Sequence, residues 1–147
     1  MDKAKSVLTT EQAAELLKGA MEARDHAYTH FHVGAALLTK EGKVYQGCNI
    51  ENAAYSPSVC AERTAFFKAV YEGERNFKAI AIMGGPETVK GPDCDICAPC
   101  GICRQVMMEF CDPGTFEILL GTPEKYEIYT LKELLPLGFG SANLKKK

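Results

Sequence analysis

No sign of charge dominates this chain: 17 Lys and Arg stand against 19 Asp and Glu, a net −2 at pH 7. Gripping a polynucleotide backbone takes a basic surface, so this balance favours a small substrate over DNA or RNA. Long hydrophobic runs are missing as well. No stretch approaches the ~20 apolar residues that span a bilayer. The opening Met1-Asp2-Lys3-Ala4-Lys5-Ser6 carries no apolar core of a secretory signal. A cytoplasmic protein that does not engage a membrane is expected. No internal repeat or low-complexity segment appears beyond Lys145-Lys146-Lys147, read as a frayed, solvated end. A disulfide framework is absent too. Seven cysteines is an odd number, and in a reducing cytosol clustered cysteines mean metal or catalysis more often than cross-links.

The remaining composition is that of a globular chain, 46% hydrophobic and 24% charged. A length of 147 residues predicts one domain, residues 1–147, with flexible tails at about 1–8 and 141–147. Thr9 and Gln12 form a capping-box pattern, and Ala13, Leu16, Leu17, Ala20 and Met21 recur at helical spacing behind it. Val33 to Leu38 and Val44 to Asn49 read as a hairpin around Lys40-Glu41-Gly42-Lys43. A helix follows from Cys60 to about Tyr71. The buried strand Ala79 to Met83 is expected to end at Gly84-Gly85-Pro86. A third helix runs from about Cys100 to Phe110, then strands at Phe116–Leu120 and Tyr126–Tyr129. Thr130 with Glu133 caps a short last helix that Pro136 stops. This alternation predicts an α/β fold: a three-layer α/β/α sandwich around a mixed, roughly five-stranded sheet.

Two short motifs carry the chemistry: Cys60-Ala61-Glu62 and Pro99-Cys100-Gly101-Ile102-Cys103. Both lie at helix starts, where the dipole and unpaired amides favour thiolate over thiol. Cys100 and Cys103 fall on one turn and can address one ion with Cys60. Three sulfur ligands leave a fourth position for water, the mark of a catalytic rather than a structural zinc. Glu62, beside a ligand, suits a proton shuttle with a pKa near neutrality. Three thiolates donate more charge than the ion carries, and Arg63 can offset this by hydrogen bonding to sulfur.

These motifs resemble the small, homotetrameric, zinc-dependent type of cytidine deaminase within the cytidine and deoxycytidylate deaminase superfamily. The resemblance runs from about Thr10 to Phe139. It also includes Phe31-His32-Val33-Gly34-Ala35-Ala36-Leu37, Gly47-Cys48-Asn49-Ile50-Glu51-Asn52-Ala53, Arg104-Gln105 after Cys103, and Glu133-Leu134-Leu135-Pro136. It implies one Zn2+ per chain on Cys60, Cys100 and Cys103, and proton transfer by Glu62 during hydrolytic deamination of cytidine and 2′-deoxycytidine, a step of pyrimidine salvage. It further implies that Asn49 and Glu51 bind the ribose 3′-hydroxyl, that Phe31 lines the base pocket and that the Ala61 backbone meets the pyrimidine edge. Phe139 would stack on the base in a neighbouring subunit's site, and Tyr55 would lie at that interface. The implied partner is a small nucleoside, in a homotetramer with shared active sites.

Cys94 and Cys97 extend the pair into a Cys94-x-x-Cys97-x-x-Cys100-x-x-Cys103 ladder that the resemblance does not require. Its spacing differs from the ferredoxin run. The thiols read as idle or weakly metal-binding, with a supplementary metal site or a redox dithiol as other readings. The competing function is a structural or binding module with zinc or iron–sulfur on this ladder. A third reading keeps the chemistry but moves it to single-stranded nucleic acid, against which the pI of about 5.9 weighs. His26, His30 and His32 read as scattered polar positions, and Cys48 and Cys111 as small apolar ones.

Overall fold

Helix α1 (Thr10–Arg24) opens on the expected capping box. Gln12 N donates to Thr9 Oγ1 at 3.1 Å, and Thr9 N donates to Gln12 Oε1 at 2.9 Å. The structure is a computed structural model that describes residues 1–145. After α1 come β1 (Phe31–Thr39), β2 (Val44–Cys48), α2 (Ala61–Tyr71), β3 (Phe77–Pro86) and α3 (Gly101–Phe110). Then follow β4 (Glu117–Gly121), β5 (Tyr126–Thr130) and α4 (Leu131–Leu134). The five strands lie in the order β2-β1-β3-β4-β5. Only β3 and β4 run parallel, so the sheet is mixed.

Period-two alternation sorts the core onto two faces. Ala35, Leu37, Ile80, Ile82, Ile118 and Leu120 pack with Ala65 and Phe66 of α2 and Met107 of α3. Ala36, Ala79, Ala81, Met83 and Leu119 pack with Ala13, Leu16, Leu17 and Ala20 of α1. The result is the expected three-layer α/β/α sandwich. Two glycines set how closely the helices sit. A Cβ on Gly34 would lie 2.0 Å from Ala20 O, and one on Gly47 would lie 2.6 Å from Ala61 O. The second contact places the start of α2, and with it Cys60 and Glu62, directly against the edge strand.

Three local expectations change. β3 does not end at Met83, because β1 continues to pair through Val33↔Gly84, His32↔Gly85 and Phe31↔Pro86. Gly-Gly-Pro reads as a breaker along the chain, whereas glycine in a strand also admits a close neighbour. Met21 is half-buried rather than within the buried stripe. Cys48 and Cys111 are half-buried, and burial pushes the Cys111 thiol well up. Within the expected tails, Lys3–Lys5 and Ser141–Leu144 form short 3-10 turns. Buried Glu117 accepts from Ser6 Oγ at 2.5 Å and Val7 N at 2.9 Å. Of the terminal lysine run, Lys146 and Lys147 lie outside the described residues. Among the described residues no helix is long and apolar enough to cross a membrane.

Candidate metal centre and active site

Cys60 is the N-cap of α2 and Cys100 the N-cap of α3, and neither side chain makes a capping hydrogen bond. Both sulfurs therefore remain available to one another and to an ion. Cys60 Sγ lies 3.7 Å from Cys100 Sγ, and all three sulfurs, Cys103 included, lie within 4.8 Å of one another. A tetrahedron with Zn–S bonds of ~2.3 Å separates its sulfurs by about 3.8 Å, so the donor set fits zinc. Among the described residues this is the one group of three or more such ligands.

Hydrogen bonding prepares one of the three sulfurs, that of Cys60, for ionisation. The Cys60 thiol is held well below the usual thiol range, chiefly by a hydrogen bond from Cys103, then by those from Arg63 and Cys100. The proton of that pair stays on Cys103, whose thiol is pushed up by the bond to Cys60 and by burial. Arg63 Nη2 donates to Cys60 Sγ at 3.5 Å, while its buried Nε has no protein partner. The cation thus sits against the cluster, where charge offset requires it.

Glu62, in the first turn of α2, is only 4% exposed. Burial, reinforced by the negative Cys60, pushes its carboxyl up to about 7. A carboxyl poised there exchanges protons readily at neutral pH. Ala61, between the ligand and the acid, is fully buried.

The bridge Ile50↔Val59 brings a second group of residues to the cluster, since antiparallel register then sets Asn49 opposite Cys60. Asn49 is buried, and its amide is spent within the protein. Oδ1 accepts from Val33 N at 2.8 Å, and Nδ2 donates to Phe31 O at 2.8 Å and Glu51 Oε1 at 3.1 Å. The amide orients Glu51, the exposed member of the pair. Phe31, 47% exposed, begins β1 beside them. Tyr55 and Phe139 stand on the surface, 89% and 58% exposed.

The cysteine ladder does not converge. A Cβ on Gly84 would lie 2.8 Å from Cys97 Sγ, and one on Gly85 would lie 2.9 Å from Cys94 Sγ. Neighbouring strand residues face opposite ways, so the two thiols lie on opposite faces of the sheet. Cys94 packs in the α1 layer. Cys97 lies against Gly84 and Val33 on the α2 side, its thiol pushed up to about 11 by burial. A metal module on these four sulfurs is not favoured.

Sequence reasoning passed over Arg24, which is 4% exposed. Its Nε donates to His32 O at 3.0 Å, and its Nη2 donates to Gly85 O, Pro86 O and Val89 O at 3.2, 2.8 and 2.8 Å. It ties α1 to the ends of β1 and β3 and to the segment leading to Cys94. The available signal was its place four residues after Ala20, on the buried stripe. Tyr28, whose hydroxyl donates to Glu51 O at 2.5 Å, carried no comparable signal.

Three sulfurs at two helix tips, backed by an arginine and flanked by a buried carboxyl at the edge of a mixed sheet, define a zinc-dependent α/β hydrolytic site. Residues 10–116 match the family model described as cytidine and deoxycytidylate deaminase zinc-binding region. The chain belongs to that family. It is 46% identical over 133 residues to a cytidine deaminase of Sporosarcina psychrophila, covering 88% of this chain and 93% of the relative. It is 45% identical over 133 residues to a cytidine deaminase of Halalkalibacterium halodurans, covering 88% and 95%. The crystal structure of cytidine deaminase from Burkholderia pseudomallei superposes with a TM-score of 0.75 at 43% identity, covering 85% of this chain and 97% of that one. The cofactor is zinc, one ion per chain, at Cys60, Cys100 and Cys103.

Proposed function

We propose that this chain hydrolyses cytidine and 2′-deoxycytidine to uridine and 2′-deoxyuridine with release of ammonia, as a single-domain enzyme of pyrimidine salvage in the cytoplasm. The observation that carries the reading is the buried Glu62 carboxyl two residues from a three-sulfur cluster whose atoms lie within 4.8 Å. That similar chains are cytidine deaminases supports the substrate.

Zinc held by Cys60, Cys100 and Cys103 supplies the Lewis acidity that turns water into a nucleophile at neutral pH. Glu62 takes a proton from the water that adds at C4. It delivers that proton to N3, then takes the second from the C4 hydroxyl of the adduct and passes it to the amino group, so that the C4–N bond breaks, ammonia leaves and the C4 oxygen becomes the carbonyl. Arg63 keeps positive charge beside Cys60 and so limits how much electron density the sulfurs pass to the ion. Glu51 binds the ribose 3′-hydroxyl and Asn49 fixes its carboxylate, refining the expectation that both bind the sugar directly. Phe31 lines the base pocket, and the Ala61 backbone meets the pyrimidine edge. Four copies form a homotetramer, in which Phe139 reaches a neighbour's base and Tyr55 borders the shared site.

The test is loss of the cytidine absorbance band with purified protein, repeated after chelation and zinc return. Activity should vanish with the metal and come back with it. Glu62→Gln should keep one zinc per chain and lose turnover by ~10²–10⁴-fold. Near-normal turnover in that variant rules the mechanism out.

A further inference from the structure

Resting on the shared-site reading of Phe139, we infer that Gln105 is a positioning residue: it hangs the Phe139 arm from the helix that carries two zinc ligands. Past α4 the chain turns outward. Leu137 stands fully exposed at φ 53°, the one non-glycine residue with positive φ among those described. A leucine adopts that conformation only where its surroundings hold it there. Packing of the Leu137 side chain does not supply the hold, since it faces solvent.

Two consecutive residues of α3 do. Arg104 Nη1 donates to Leu134 O at 2.6 Å, and Arg104 Nε donates to Pro99 O at 2.8 Å, which fixes the root of the arm to the start of the ligand helix. Gln105 Nε2 donates to Phe139 O at 2.8 Å, which fixes its tip. Gly140 then closes the segment, its N–H donating to Asn143 Oδ1 at 2.9 Å. Phe139 is thereby held at its backbone while the residue as a whole stays 58% exposed. Cys103 directly precedes Arg104, so displacement of the metal helix in one subunit moves the aromatic delivered to the next. The donated bond from Gln105 sets how much of the time the ring is presented in stacking position.

The test uses the zinc-loaded full chain and four proteins: parent, Gln105→Met, Phe139→Ala and the double variant. Gln105→Met keeps the side chain's length and removes the donor. It should raise KM for cytidine about fivefold, with kcat within twofold, one zinc per chain and an unchanged particle mass by light scattering. Phe139→Ala should raise KM about tenfold, and the double variant no further than Phe139→Ala alone, because both act through one ring. A KM within twofold of the parent in Gln105→Met, beside a raised KM in Phe139→Ala, overturns this inference alone. Multiplying effects in the double variant do the same. An unchanged KM in Phe139→Ala removes the shared-stacking reading and this inference with it. If Gln105→Met fails to fold, Gln105→Ala replaces it; failure of both makes Gln105 a folding residue and overturns the proposal.

Discussion

Glu62 shows how a residue of ordinary surface type becomes chemical through its place alone. The unfolded chain releases its proton near 4.5, whereas the folded, metal-free site keeps it to about 7 because burial disfavours the carboxylate. Between those values the folded state binds the extra proton, so this residue's contribution to stability falls as pH rises. Cys60 contributes with the opposite sign, since its depressed thiol loses a proton on folding. Glu62→Gln removes the first effect and leaves the second. Compared with the metal-free parent, the metal-free variant should gain about 3 kcal/mol in relative stability from pH 4.5 to pH 7. Urea midpoints at the two pH values measure this, and an unchanged difference would contradict the buried-acid assignment. The acid and the three ligands were legible in sequence because local spacing ties each to a helix start. Asn49 was only half legible: its type and motif marked it, but the partners that spend its amide, Val33 N and Phe31 O, come from another strand.

At the scale of elements, the capping boxes at Thr9 and Thr130 were readable because both members of each box lie within one turn. The end of β3 was not. Gly84-Gly85-Pro86 looks like a stop until β1 is placed alongside it, and only that pairing shows what the glycines admit. Each leaves room for a sulfur on its own face, which divides Cys94 from Cys97 and dissolves the apparent ladder. Gly84→Ala would bring its Cβ to 2.8 Å from Cys97 Sγ and 3.0 Å from Val33 Cγ2. Overpacking of this kind costs about 1–3 kcal/mol. Adding Cys97→Ala should recover part of that loss, while Cys94→Ala should recover none. Thermal melts of the four proteins read the difference, and equal recovery by either partner would show that the thiols share a face after all.

Across the whole molecule, one fact stands behind the site: no single element contains it. Cys60 and Cys100, 40 residues apart, meet because α2 and α3 cover the same face of the sheet and bring their N-termini together. On the proposed shared-site reading, the arm after α4 extends the same logic beyond the chain, since an exposed Phe139 held at its backbone would serve a neighbour's site. This makes a prediction about mixed assemblies. Phe139→Ala chains keep Glu62 but lack the ring, and Glu62→Gln chains keep the ring but lack the acid, so each alone is impaired, in KM or in turnover. Unfolded, mixed and refolded with zinc, the two should form hybrids in which a Glu62→Gln neighbour supplies Phe139 to an intact acid. Titrating cytidine against the mixture should then show a population of sites with the parent KM beside those with the raised one. Because each chain carries the opposite defect, recovery requires both in one particle. A mixture whose saturation curve is that of Phe139→Ala alone would mean that every chain completes its own site.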